Sequence, residues 1–303
     1  MPIKLNQKLD DRAVEDLQGL GAGPKTVAAL RALSDTTANL APPAPAAPAA
    51  PKPEVVVKPA PDAAEQKRIL AQLTEYAHDY TKNLPDFICT QVTFQRVDPK
   101  GGEAWNLMGT VQEHLTYVEG HEDYKVVMVN NRPVTNVNHM QVGGNKSEGE
   151  FGSMLAEIFD PESHTEFDWA RWTTWHSRST YVFSFRVPQE YSRYTIKDEQ
   201  SGRSTVPGYH GLVYADRDTG MVMRITMECD DIPADFPIRD VSENLEYDFQ
   251  KIGPREFVLP LKAELRSHNG RQAAFNQIEF RLYRKYSADA SITFDPPEPL
   301  PDK

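Results

Sequence analysis

The chain is short of cationic charge and has no long apolar run, and each shortage argues against a class of function. Its 303 residues include 44 Asp and Glu but only 33 Lys and Arg, which gives a formal net charge of -11. Proteins that bind nucleic acids or anionic membranes need clustered cations, so neither is expected as a partner. No apolar run approaches the roughly 18–20 residues of a membrane-spanning helix. No export signal is visible at the first residues either, although a processed or misplaced start would hide one.

Cysteine is also scarce, and its placement gives no metal-ligand pattern. Cys89 and Cys229 both fall in predicted strands, far apart in the sequence. In an exported protein they would be able to form a disulfide, and two buried free thiols are the alternative. No metal and no cofactor is predicted.

Composition divides the chain into four regions. Residues 1–40 predict a small helical hairpin, in which Pro24 suits the first turn of the second helix. Residues 41–61 are rich in Pro and Ala, and eight of the 21 are proline, which favours an extended polyproline II spacer. Residues 62–296 predict the folded domain, and residues 297–303 form a tail.

The folded domain predicts one long helix followed mainly by strands. A capping box at Asp62 begins the helix, and apolar residues recur at helical spacing from Ile69 to Leu84. A shorter helix is predicted at 151–159. The predicted strands are 87–97, 104–118, 123–130, 178–187, 191–196, 209–215, 221–229, 241–252, 256–267 and 272–286. Their short links favour antiparallel pairing. The predicted fold class is therefore α+β: a curved antiparallel sheet, a half-open β-barrel, capped by helices.

Residues 208–229 give the sharpest pattern, two strands joined by a turn at Asp216–Gly220. After the turn, apolar side chains alternate with mainly polar ones, so one face of the strand is dry. Strands 178–187 and 241–252 alternate in the same way. We predict that the apolar sets line a concave ligand-binding face, with these candidates: Phe183, Phe185, Met221, Met223, Ile225, Met227, Leu245 and Tyr247. Methionine also fills irregular cores, so core packing is the alternative.

Motifs for catalysis and DNA binding are weak. Ser147 lies in a Gly-rich stretch, but Asn145 stands where a nucleophile elbow needs glycine, and a flexible loop explains the stretch better. Residues 17–26 resemble a helix-hairpin-helix, but Ala22 and Gly23 interrupt its spacing. Because residues 1–40 carry equal numbers of acidic and basic side chains, a plain helix-turn-helix packing unit is the preferred interpretation.

Two clusters between 162 and 175 have a functional and a structural interpretation each. Four potential metal ligands alternate: Glu162, His164, Glu166 and Asp168. A solvated strand face is the simpler explanation for them. Four aromatic residues follow: Phe167, Trp169, Trp172 and Trp175. These either stack a ligand or wedge a loop onto the core, and we favour the second.

Residues 62–294 resemble the lipoprotein-localisation-factor superfamily. The shared features are the leading amphipathic helix, the many antiparallel strands, the strand–Asp-turn–strand at Gly211–Ile225 and the strand at Phe257–Pro260. The resemblance implies a half-closed barrel whose apolar cavity carries acyl chains or a hydrophobic partner in the cell envelope. The N-terminal hairpin and the spacer lie outside the family pattern. The basic residue by which such carriers secure their cargo cannot be placed here.

The sequence thus predicts a non-enzymatic, monomeric carrier of a hydrophobic ligand or a lipidated protein. By the resemblance it is periplasmic or secreted, and otherwise cytoplasmic. Two alternatives stay open: an interaction module that recruits a partner through its N-terminal hairpin, and an enzyme with a dispersed active site.

Overall fold

A computed structural model describes residues 8–9, 24–37, 40, 59–102, 104–135, 137, 139, 151–198 and 200–286. The chain forms two compact units, Met1–Lys58 and Pro59–Lys303. In the first unit, helix α1 spans Pro24–Thr36. The first helix of the predicted hairpin and the spacer up to residue 58 lie outside the described residues.

The end of α1 is tied to the segment at Leu9. The Leu9 amide donates to Oγ1 of Thr37 at 3.1 Å, and the Ser34 hydroxyl donates to the Leu9 carbonyl at 2.6 Å. These two bonds hold Leu9 beside the end of the helix.

The second unit begins with the long helix that the sequence predicts. Helix α2 spans Ala63–Asn83, and the Asp62 side chain accepts a hydrogen bond from the Glu65 amide at 2.8 Å. This contact satisfies one of the amides that a helix start leaves without a partner. One stripe of α2 is buried and consists of Ile69, Leu73, Ala77 and Tyr80. Helix α3, at Ser153–Phe159, confirms the shorter predicted helix.

The described part of this unit contains thirteen strands, and eleven of them form one antiparallel sheet. The strands are β1 Phe87–Asp98, β2 Asn106–Val118, β3 His121–Val129, β4 Arg132–Pro133, β5 Glu166–Trp175, β6 Arg178–Val187, β7 Ile196–Asp198, β8 Arg203–Thr205, β9 Gly208–Asp216, β10 Val222–Asp230, β11 Ile238–Ile252, β12 Arg255–Asn269 and β13 Gln272–Lys285. Their order across the sheet is β4-β3-β2-β1-β13-β12-β11-β10-β9-β6-β5. Strands β7 and β8 form a separate hairpin. Within the described residues β4 and β5 end the sheet and do not pair with each other, so the sheet is open. The predicted α+β half-barrel is confirmed.

The two helices of this unit cover one face of the sheet, called here the helix-covered face. One cluster of buried side chains contains the stripe of α2, Leu155 and Ile158 of α3, and the inward side chains of most strands. The opposite face of the sheet is called the outer face. Sheet and helices bury each other's apolar surface, as a two-layer domain requires.

Two predicted features are wrong in detail. Residues 191–196 were expected to be a strand, but a 3-10 turn occupies Gln189–Tyr191 and only Ile196 begins strand β7. Pro188 precedes that turn, and a proline cannot donate to a sheet ladder. The predicted strands also omit 166–175, where β5 forms the edge of the sheet; the solvated strand face expected from Glu166 and Asp168 lies on it.

Two details at single residues complete the fold. Gly270 and Arg271 make the turn between β12 and β13, because Asn269 still pairs with Gln272, and Gly270 has the positive φ of 61° that favours glycine. Cys89 and Cys229 are free thiols, the first buried and the second half-buried. Among the described helices, none combines the length and the apolar character that a membrane crossing needs.

Candidate functional site

All eight predicted ligand-binding residues lie on or beside one apolar cluster. Phe183 and Phe185 belong to β6, and the rest follow on β10 and β11, with Met221 just before β10. Seven of the eight are buried, and Met221 is half-buried and packs against the same cluster. The structure therefore brings them together, and it places them inside a packed core.

Strand register explains why they share a face. Phe183 pairs with Val213, Val213 with Ile225, and Ile225 with Leu245. Directly paired residues of neighbouring antiparallel strands point to the same face. An unbroken apolar row therefore crosses β6, β9, β10 and β11.

Helix α2 is the more firmly attached of the two covering helices. The ring of Tyr80 on this helix meets the Tyr247 ring edge-on, with centroids 6.1 Å apart. The Tyr80 hydroxyl donates a hydrogen bond to the Val258 carbonyl at 3.0 Å. Burial raises the pKa of Tyr80 well above its ordinary value, so the hydroxyl stays protonated and can act as the hydrogen-bond donor. Helix α2 is thus bonded to the sheet as well as packed on it.

Helix α3 is short and has no side-chain cap at its N-terminus. Gly152 precedes it with φ of 125° and provides no side-chain cap, yet Leu155 and Ile158 are fully buried against the sheet. A helix of seven residues has little stability of its own and depends on this packing.

A polar contact at the end of α3, called here the Arg193 latch, fixes the helix to the segment before β7. The Arg193 guanidinium lies 2.6 Å from Oδ2 of Asp160, and its backbone amide donates to Oε1 of Glu157 at 2.7 Å. The Glu162 amide and Arg193 lower the pKa of the Asp160 carboxyl. The latch is partly exposed to solvent, so it holds the helix without burying a charge.

The helix-covered face changes character toward one end of the sheet. Glu113 lies two residues before Leu115 on β2, and Gln91 lies two residues after Cys89 on β1, so each points to the same face as its apolar neighbour. Both polar side chains are buried. Nε2 of Gln91 donates to Oε2 of Glu113 at 3.3 Å, and Nδ1 of His139 lies 2.7 Å from Oε1. These residues are not among the predicted site residues, although extending the alternation along β1 and β2 would have placed them on this face.

A groove of about 560 Å³ lies on the outer face. Ser184, Arg186, Leu212 and Thr226 line it; they alternate with the buried residues of β6, β9 and β10. The groove is therefore separated from the predicted ligand face by the sheet itself.

The potential metal ligands between 162 and 168 do not converge. Glu162 and His164 lie at a 3-10 turn, where the His164 ring contacts the Tyr191 ring at a tilt of 40°, while Glu166 and Asp168 are on β5. Throughout the described parts of the chain, no three His, Cys, Asp or Glu side chains are grouped to hold a metal ion. Ser147 lies outside the described residues.

The four aromatic residues near 170 belong to strand β5 and not to a loop. Trp169 meets Phe183 edge-on at 5.3 Å, and Phe159 of α3 stacks on Phe167 at 5.1 Å. The expectation that they pack on the core is correct, but the element that carries them is the edge strand.

No protein-family model and no curated protein sequence matches the chain. Solved structures similar to it include an outer membrane lipoprotein-sorting protein domain from Vibrio parahaemolyticus, with 8% identity, a TM-score of 0.34, and 75% of this chain and 95% of that one covered. A LolA superfamily protein from Nitrosomonas europaea has 8% identity and a TM-score of 0.32, with 72% and 94% covered. A DUF1329 family protein from Desulfovibrio piger has 10% identity and a TM-score of 0.32, with 74% and 94% covered. The matched structures include a member of the superfamily that the sequence resembles, and the site described above rests on the chain's own geometry.

Proposed function

We propose that this protein is a non-enzymatic carrier that binds an acyl chain, or the acyl group of a lipidated protein, on the helix-covered face. One observation supports the proposal above the others. An apolar row continues across four strands, and what covers it next to β5 is a seven-residue helix held by a latch at its end.

The ligand takes the place of α3. Leu155, Ile158 and Phe159 supply apolar surface that an acyl chain would replace, so the face stays dry in both states. Because the long helix α2 is also bonded to the sheet, it stays in place when α3 moves. Carriage of this kind fits a monomer in the cell envelope, which we propose as its state and location.

Fluorescence titration with the methyl ester of cis-parinaric acid, an acyl probe without charge, tests the proposal directly, after the purified protein has been stripped of bound lipid. We expect saturable binding with one site, confirmed by native mass spectrometry. A folded protein that takes up neither this probe nor any co-purified lipid would overturn the proposal.

The latch supplies a second test. Arg193→Ala removes an exposed ion pair that is worth up to about 1 kcal/mol, so the uptake rate should rise by roughly 2–5-fold. Arg203→Ala is the matched control, because Arg203 makes a similar exposed pair with Asp235 at 2.7 Å and does not touch α3. Equal uptake rates in both variants would show that α3 is not the element that moves.

A further inference from the structure

The buried charges of the second unit all have the same sign. Among the described residues, the charged side chains classed as buried are Asp98, Glu113, Asp216 and Glu243. Two of these, Glu113 and Glu243, lie on the helix-covered face: Glu113 two residues before Leu115 on β2, and Glu243 between Val241 and Leu245 on β11. Glu243 pairs with Met227 and precedes Leu245 by two residues, so it adjoins the apolar row.

One of these carboxylates also acts on a nearby thiol. Burial, followed by the charges of Glu243 and Asp230, raises the pKa of the Cys229 thiol to about 12.

Gln91 adds an acceptor that the protein leaves open. Its Nε2 donates to Glu113, because a carboxylate can only accept, and this fixes the orientation of the amide. Oε1 of Gln91 is then buried without a hydrogen-bond partner. A buried acceptor without a partner costs about 1–3 kcal/mol, so a donor brought by a ligand would be favoured here.

Glu113 itself has acceptor capacity left. An ionised carboxylate offers about four lone-pair positions, and contacts with Gln91 and His139 account for one on each oxygen. A group that carries several N–H donors and a positive charge would donate hydrogen bonds to the open acceptor positions of both Gln91 and Glu113.

We infer that the ligand is an amphiphile with a cationic, hydrogen-donating head such as a primary ammonium, which Glu113 and Gln91 bind while its chain lies on the helix-covered face, where Ala263 and Ile278 continue the apolar row from Leu245 toward β1. The inference rests on the proposed function. It specifies the ligand class, because a ligand with an anionic head would place like charges together in a buried site.

Three amphiphiles of equal chain length test this inference: dodecylammonium, dodecanol and dodecanoate. Each is titrated at pH 7, below its critical micelle concentration, by isothermal calorimetry with native mass spectrometry as a check. We expect dodecylammonium to bind at least 10-fold more tightly than dodecanoate, with dodecanol between them. If none of the three binds, the proposed function fails too; if all bind without this preference, only the inference fails.

Variants separate the site from the general attraction of an acidic protein for cations. Glu113→Gln should reduce the ratio of dodecylammonium to dodecanoate affinity at least 5-fold. Glu228→Gln, an equal change of charge at an exposed position beside the outer groove, should leave the ratio unchanged. Equal effects of the two variants would overturn the inference. Should Glu113→Gln fail to fold, Gln91→Leu removes the open acceptor and should lower dodecylammonium affinity while leaving dodecanoate affinity unchanged.

Discussion

Asp216, at the turn between β9 and β10, is expected to stabilise the fold far more than an ordinary turn residue. Its side chain is 1% exposed. Oδ1 accepts from the amides of Asp218 and Thr219 at 3.1 and 2.8 Å and from the Thr219 hydroxyl at 2.8 Å, while Oδ2 lies 3.3 Å from Arg178. Replacement by Asn keeps the volume but removes the charge that these donors face.

Hydrogen bonds to a charged group contribute roughly 1.5–3 kcal/mol each. Because Thr219 and Asp218 are exposed and water can satisfy their donors, we expect Asp216→Asn to lose about 2–3 kcal/mol in total, near the value of a single bond. Urea unfolding followed by tryptophan fluorescence measures the loss at pH 7. Asp218→Asn is the control, since Asp218 is 74% exposed and should change the free energy of unfolding by less than about 0.5 kcal/mol.

The pH dependence of this difference has a defined sign. Burial acts to raise the pKa of Asp216, but the hydrogen bonds from Thr219 and the contact with Arg178 outweigh it, so the pKa is lowered. A lowered folded-state pKa gives stability that is fully present above the unfolded value of about 3.9 and is lost as the pH falls through the folded value. The gap between wild type and Asp216→Asn should therefore narrow below about pH 4. A gap that persists on acidification, or an equal effect of Asp218→Asn, would refute this account of the turn.

Three further outcomes follow from single contacts. Gly211→Ala places a Cβ in overlap with the Thr226 carbonyl oxygen, so we expect a loss above about 3 kcal/mol or failure to fold, seen in thermal unfolding. Tyr80→Phe keeps the ring but leaves the buried Val258 carbonyl without its donor, and urea unfolding should show a loss of about 1–3 kcal/mol. The Cys229 thiol, with its pKa near 12, should react with Ellman's reagent at pH 8 at least about 100-fold more slowly in the native protein than after denaturation; similar rates would contradict its burial.

The strands that are best predicted from the sequence have one buried and one solvent-exposed face. In β10 from Met223 onward, and in the second half of β6, the burial alternates as the residue pattern does, because the helices cover only one side of the sheet. Strand β5 escapes prediction for the opposite reason. As an edge strand it is at most half-buried on either face, and a register shift between Trp169 and Arg171 breaks its alternation. Its aromatic residues therefore look like a loop.

The candidate site was predictable in its apolar part and missed in its polar part. Strand alternation identifies Leu245 and Ile225 as inward residues from local sequence alone. Alternation along β1 and β2 places Glu113 and Gln91 on the helix-covered face, but a charged or amide side chain is usually exposed, so the sequence does not mark them as buried site residues. Their burial depends on contacts across the chain, such as the one between His139 and Glu113, and no local pattern encodes those.

The position of β1 between β2 and β13 has a consequence for the order in which the domain is made. Phe87 pairs with Lys285, so the first strand cannot complete its pairing until the ribosome has produced the last one. At about 5–20 residues per second, β1 waits on the order of 10–40 s with an open backbone edge and an uncovered apolar face. During synthesis the early strands are thus the ones that need a chaperone. A circular permutant that starts at Gly270 and joins the two present ends would place residues 286–303 and 1–86 between β13 and β1, a shorter stretch than residues 99–271, which separate them now, and it would lengthen the wait for β12.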